Sequence, residues 1–169
     1  MQLDAAVITV SDKGSRGERV DTSGPALCVL LEDAGWRVSY TALVPDEAAD
    51  IQRELLWASD EKKVCLALTT GGTGFSKRDI TPEATRAVIE RETPGIPEAM
   101  RLESMKATKR GMLSRACAGI RGDTLIINLP GSEKAATECL KSVLPTLLHG
   151  VEILRGLKHD CGGEHHRHE

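Results

Sequence analysis

The sequence predicts an α/β fold built on a largely parallel sheet, and three observations predict it. The 169-residue chain is 40% hydrophobic but only 2% aromatic. Its core must therefore be built from Leu, Ile, Val and Ala, which favours α/β over an aromatic-rich β-sandwich. Short apolar runs at residues 5–10, 36–43 and 64–68 alternate with helical patterns. Strand–helix–strand–helix–strand order imposes right-handed crossovers and parallel pairing. Finally, each of these runs ends in a polar loop. Loops after parallel strands gather at one carboxyl edge, where open α/β sheets bind ligands.

The elements follow in order. Residues 5–10 read as a buried first strand, and residues 11–19 as a polar, Gly-containing loop. Thr22 or Ser23 can cap a helix whose first turn holds Gly24-Pro25 and which Gly35 stops. Residues 36–43 alternate as a second strand, and Asp46 starts a helix carrying Ile51, Leu55 and Leu56. The third strand, residues 64–68, runs into the most informative stretch of the chain, Thr69-Thr70-Gly71-Gly72-Thr73-Gly74. Thr81 is the expected N-cap of a helix over residues 82–92, with Pro82 at its first position. A helix over residues 97–109, a loop or short strand over 111–118 and a β-branched strand at 125–129 follow. Pro130-Gly131-Ser132 then leads into a helix over about residues 133–148.

Length and composition imply one domain with a sizeable core, over residues 1–156, followed by a polar His-rich tail at 157–169. The formal net charge of −3 offers no general basic surface for duplex nucleic acid. The four aromatic residues argue against stacking on single strands. No apolar run approaches the ~20 residues that span a bilayer, and the N-terminus lacks signal-peptide order. The expected compartment is the cytoplasm. The five cysteines are odd in number and widely spread, as suits buried small hydrophobes. Cys161, His165, His166 and His168 could bind a transition metal, but their spacing is irregular and a solvated terminus is the favoured reading.

The chemistry concentrates on the Gly loop. It lacks the P-loop's Gly-Lys-Ser/Thr and the dinucleotide fingerprint's place on the first strand. A strand, a Gly-rich turn and a capped helix nevertheless agree on a phosphate cradle. Lys77 and Arg78 add positive charge. Asp46 and Asp79 each lie between a strand and a helix. Singly, such residues are N-caps or surface charges; converging beside a phosphate loop, they suit Mg²⁺, which binds through carboxylates and phosphate oxygens. Ser11, Asp12 and Asp21 are weaker candidates at the same edge. Lys134 lies in the first turn of the last helix, a second candidate anion site. Every histidine lies at 149 or later, so nucleophilic catalysis through a His-activated group is not favoured. By pattern alone Ser114 is a surface serine.

Taken together, residues 7–12, 21–26, 44–47, 69–84, 113–115 and 128–135 resemble the molybdopterin-binding family of molybdenum cofactor biosynthesis. The resemblance runs in order over about residues 4–155 and is most specific in Thr-Thr-Gly-Gly-Thr-Gly plus Arg-Asp-x-Thr-Pro-Glu-Ala. It implies a three-layer α/β/α fold assembled as a homotrimer or hexamer. It also implies Mg²⁺-dependent transfer of an adenylyl group from ATP to molybdopterin, with release of pyrophosphate. The product would later pass to a molybdate-insertion protein. Asp46 and Asp79 fall on the family's acidic active-site positions. Thr70, Gly71, Gly72, Thr73 and Gly74 match its ligand loop. Ser114 matches a position near the dithiolene–phosphate ligand, and Pro130, Gly131 and Ser132 match a ligand-lining turn. Two competing implications are a nucleotide-hydrolysing paralogue of the same fold and a non-catalytic molybdopterin carrier.

Overall fold

The computed structural model describes residues 2–157. Its core is a six-stranded sheet in the order β2-β1-β3-β6-β5-β4. Strands β1 (Asp4–Val10), β2 (Arg37–Val44), β3 (Leu66–Thr70) and β6 (Thr124–Leu129) are parallel. Strands β5 (Ala118–Arg121) and β4 (Arg91–Glu92) close one side antiparallel. The largely parallel sheet expected from the alternating pattern is thus present, with an antiparallel margin.

Helices cover both faces. On one, Ala5, Val7, Leu66 and Leu68 pack with Leu27 and Leu31 of α2 (Ser23–Asp33), Met100 of α5 (Gly95–Ala107) and Leu140 and Leu147 of α6 (Glu133–Leu154). On the other, Ala6, Ile8 and Ala67 pack with Ile51 and Leu55 of α3 (Ala48–Leu56) and Ala84 of α4 (Thr81–Arg86). Successive strand residues point to opposite faces. That is why β1 and β3 read as unbroken apolar runs: both faces are buried, as in parallel sheets generally. Among the described residues no helix is long and apolar enough to cross a membrane.

Several expected boundaries moved for physical reasons. The helix expected over residues 82–92 ends at Arg86. Glu90 N then donates to Ile120 O at 2.8 Å and Thr93 N to Ala118 O at 2.9 Å, so this segment becomes a sheet edge instead. Thr81 is inside α4 rather than its cap, which Ile80 occupies without a side-chain bond. Thr22 holds the cap position of α2 but makes no side-chain bond; Asp21 Oδ1 accepts from Gly24 N instead, at 3.0 Å. Asp46 does not cap α3 either. The loop after β1 contains one helical turn, α1 (Asp12–Ser15), capped by Ser11. The last helix runs on through Pro145 to Leu154. The expected tail, beyond Leu157, and its Cys161, His165, His166 and His168 lie outside the described residues.

One buried polar cluster ties the sheet to α4. Asn128 Nδ2 donates to Thr69 Oγ1 at 3.0 Å and to Thr85 Oγ1 at 2.8 Å. Asn128 Oδ1 accepts from Cys117 N at 3.3 Å and from its thiol at 3.2 Å. None of this chemistry reaches solvent, so removing one partner strands the others. Asn128→Ala should lower stability by about 1–3 kcal/mol. The check is a denaturant melt, where the midpoint falls at unchanged slope; an unmoved midpoint would contradict the role given to Asn128.

Candidate functional site

The loops after β1, β2, β3 and β6 meet at the carboxyl edge and frame a cleft of about 640 Å³. It is lined by Thr9, Val10, Ser11, Arg19, Asp21, Ser23, Asp46, Thr70, Gly71, Gly72, Asp79, Gly131 and Ser132, among others. Its size suits a small molecule.

The Gly loop owes its path to close backbone packing. Gly71 has φ +105°, and a Cβ there would lie 2.2 Å from Val10 O. Gly72 has φ +64°, and a Cβ there would lie 2.3 Å from Thr81 Oγ1 and 3.0 Å from Asp46 Oδ1. Neither position accepts a side chain. The loop is stitched to its neighbour: Thr70 Oγ1 donates to Pro130 O at 2.7 Å, and Gly71 N to Leu129 O at 3.1 Å. Ser23 Oγ donates to Gly131 O at 2.8 Å, which brings α2 into the same frame.

Asp12 and Asp46 exchange hydrogen bonds. Asp12 N donates to Asp46 Oδ2 at 2.8 Å, and Asp46 N donates to Asp12 Oδ1 at 3.0 Å. Arg78, from the third loop, donates to both oxygens of Asp12 at 3.0 Å and pairs with Glu47 at 2.8 Å. The guanidinium holds the Asp12 carboxyl below the usual aspartate range. Burial pushes Asp46 the other way, and the nearby charges of Asp12 and Asp79 add to the rise.

Asp79 bends back on its own loop, where Oδ2 accepts from Ser76 N at 2.9 Å. Asp46 and Asp79 therefore share a design. In each, one carboxylate oxygen is fixed by a backbone N–H, and the other makes no hydrogen bond to the described residues. Beside them Thr81 Oγ1 is fully buried and also lacks a partner. Among the described residues no group of three or more His, Cys, Asp or Glu is gathered for a metal. Two hard carboxylates with open oxygens, beside room for phosphate and water, still fit Mg²⁺, which usually takes only one or two carboxylates from a protein.

The other expected residues divide. Thr70, Gly71, Gly72, Gly131, Ser132 and Ser11 line the cleft. Ser11 and Ser132 also cap helices, accepting from Gly14 N at 3.0 Å and Ala135 N at 3.2 Å. Thr73 and Gly74 are not on its wall; their carbonyls accept from Arg115 N at 2.9 Å and Nε at 2.7 Å. Ser114 and Pro130 line a separate, mostly apolar hollow of about 220 Å³ with Met100 and Cys139. Lys134 points to solvent and comes no nearer than 4.0 Å to Glu138. Asp21 is spent on structure, accepting from Thr9 Oγ1 at 2.6 Å and from Gly24 N. Arg78, expected to meet phosphate, laces the loops together instead. Arg19, Ser23 and Glu133 also line the cleft, although the sequence pattern does not mark them as site residues. Their placement in or just after the first loop, or just after the Pro-Gly-Ser turn, was the available signal.

The fold and cleft define an α/β protein with a small-molecule-sized cleft at the carboxyl edge of its sheet. The family described as "Probable molybdopterin binding domain" matches residues 6–149. The molybdopterin adenylyltransferase of Helicobacter pylori strain 26695 is 41% identical over 156 residues, covering 91% of this chain and 89% of that one. The molybdenum cofactor synthesis protein cinnamon of Drosophila melanogaster is 44% identical over 149 residues. That match covers 88% of this chain but 25% of cinnamon. The crystal structure of the molybdopterin biosynthesis enzyme MoaB of Thermus thermophilus superposes with a TM-score of 0.87 at 46% identity, covering 92% of this chain and 98% of that one. The chain belongs to the molybdopterin-binding family of molybdenum cofactor biosynthesis.

The Asp46 shift carries a sign. A carboxyl raised on folding favours the folded state while protonated, and that stabilisation is lost as pH rises through the raised value. Asp46→Asn, whose side-chain oxygen can still accept from Asp12 N, should melt above the wild type at neutral pH. The gap should close as pH falls toward the ordinary aspartate range. Thermal melts at several pH values check this; a gap that widens on acidification would contradict it.

Proposed function

We propose that the protein transfers the adenylyl group of ATP to the terminal phosphate of molybdopterin, forming adenylyl-molybdopterin and pyrophosphate. The observation that carries this reading is the pair Asp46 and Asp79, each with one oxygen fixed and one free, at the rim of the Gly loop. Kinship with named adenylyltransferases across most of their length supports it.

In the reaction, an oxygen of the molybdopterin phosphate forms a bond to the α-phosphorus of ATP. The bond from that phosphorus to the β-phosphate bridging oxygen breaks, and pyrophosphate leaves with the electron pair. A phosphate monoester has its second pKa near 6 and is mostly dianionic at pH 7, so no general base is needed. Among the described residues no histidine lines the cleft, which fits this. What the chain supplies is position and charge. The amide of Gly72 and the N-terminus of α6 at Ser132 would face phosphate groups. Ser114 and Pro130 hold the pterin side in the separate hollow. Asp46 and Asp79 hold Mg²⁺, which offsets charge developing on the transferred and leaving phosphates. The same reading makes the protein a cytoplasmic homotrimer that hands its product to a molybdate-insertion protein.

The test is incubation with molybdopterin and Mg-ATP, followed by detection of adenylyl-molybdopterin. Stoichiometric product and pyrophosphate are expected; molybdopterin binding with no product would leave a carrier, and phosphate release without product a hydrolase. Asp79→Asn should keep its fold and its molybdopterin affinity while losing adenylyl transfer by a factor of about 10³ or more, a few kcal/mol of transition-state stabilisation. Wild-type turnover by that variant would sink the assignment of Asp79.

A further inference from the structure

The sequence motif around Ser114 points to its hydroxyl, but the structure points to its neighbour. Arg115 reaches from the segment before β5 into the loop between Gly72 and α4. Its backbone N–H donates to Thr73 O at 2.9 Å and its Nε to Gly74 O at 2.7 Å. Its Nη2 donates to Asp79 O, and its Nη1 pairs with Glu83 of α4. One residue thus binds the loop at its start, at its end and at the helix that follows. The segment itself is held from behind, because Arg101 Nη1 of α5 donates to Ser114 O at 3.3 Å and Ala116 O at 3.1 Å.

The loop needs such a hold. Apart from the bond from Arg115 to Asp79 O, Ser76 and Asp79 make only local bonds, Ser76 N to Asp79 Oδ2 and Asp79 N to Ser76 O at 3.0 Å. Phe75 is 71% exposed and packs into no core. Besides Arg115, only local turns and the side chain of Arg78, which reaches out to Asp12 and Glu47, fix the backbone that aims Asp79. The planar guanidinium with its fixed fork suits this task, since one lysine ammonium cannot reach carbonyls in several directions at set angles.

We propose that Arg115 is a positioning residue for Asp79, fixing the 73–79 loop so that its carboxylate meets the divalent cation. The inference rests on the cation reading above, and its test separates the two. Mn²⁺ replaces Mg²⁺ as a spectroscopic probe, titrated by electron paramagnetic resonance into the full chain with a non-hydrolysable ATP analogue. Arg115→Met should bind Mn²⁺ about 10–100-fold more weakly, the usual effect of losing a residue that orients a metal ligand. Its melting temperature and its affinity for molybdopterin should stay close to wild type. Arg115→Lys should not restore binding. In Arg115→Ala, added guanidinium should restore part of it where ammonium does not. Amide hydrogen exchange at residues 74–79 should quicken in all three variants.

Unchanged Mn²⁺ affinity in Arg115→Met overturns the proposal. A parallel loss of stability and of every ligand, unrepaired by guanidinium, also overturns it and leaves a structural role. If the wild type binds no Mn²⁺, the cation reading fails; unchanged exchange at 74–79 would then overturn the hold on the loop as well.

Discussion

The reciprocal hydrogen bonds between Asp12 and Asp46 are the constraint on which the rest of the site depends. Parallel strands deliver their loops to one edge, but they do not make those loops touch. Here the N–H of each aspartate is satisfied by the carboxylate of the other, locking the end of β1 to the end of β2. Arg78 adds the loop after β3 through both oxygens of Asp12. Asp12 is held ionised and fully used, whereas Asp46 keeps one oxygen free in a buried setting that disfavours its charge. Asp12 thus ties the loops together, and Asp46 keeps one carboxylate oxygen unclaimed by the described residues. A buried carboxylate crowded by like charges is what a bound divalent cation would relieve.

The second half of the site is built from backbone rather than charge. Gly71 passes against the carbonyl of Val10, and Gly131 crosses so near that a Cβ there would lie 3.3 Å from Gly71 Cα. Thr70 and Ser23 use their hydroxyls to fix these crossings rather than leaving them to loop entropy, while Ser132 caps α6. The result is a rigid cleft with few side chains capable of covalent chemistry. Such a cleft suits phosphoryl-type transfer, where positioning and electrostatics carry most of the rate.

Much of this was legible because it is local. Gly71 to Gly74, Asp46 and Asp79 stand out by type and spacing, and strand order alone brought them to one edge. Helix limits were less legible where tertiary contacts overrode propensity. Residues 90–93 continue a helical pattern, yet they pair with β5 because an edge was open there. Asp46 looked like a cap because the partner that claims it, Asp12, lies 34 residues away. Arg78 looked like a phosphate ligand for the same reason. Arg115 stands in the sequence only as part of a motif, since nothing within several residues of it shows that its donors reach Thr73, Gly74 and Asp79. Ser114 was placed by resemblance, and the structure sets it in a separate hollow rather than in the main cleft.

The central claim is that Asp46 and Asp79 meet one cation at the rim of the Gly loop. Anomalous diffraction from crystals of the protein grown with Mn²⁺ and a non-hydrolysable ATP analogue measures this directly. One strong Mn²⁺ peak is expected at about 2.0–2.3 Å from an oxygen of each carboxylate, with nucleotide phosphate oxygens completing its shell. A peak held by the nucleotide alone, or by only one of the two aspartates, would contradict it.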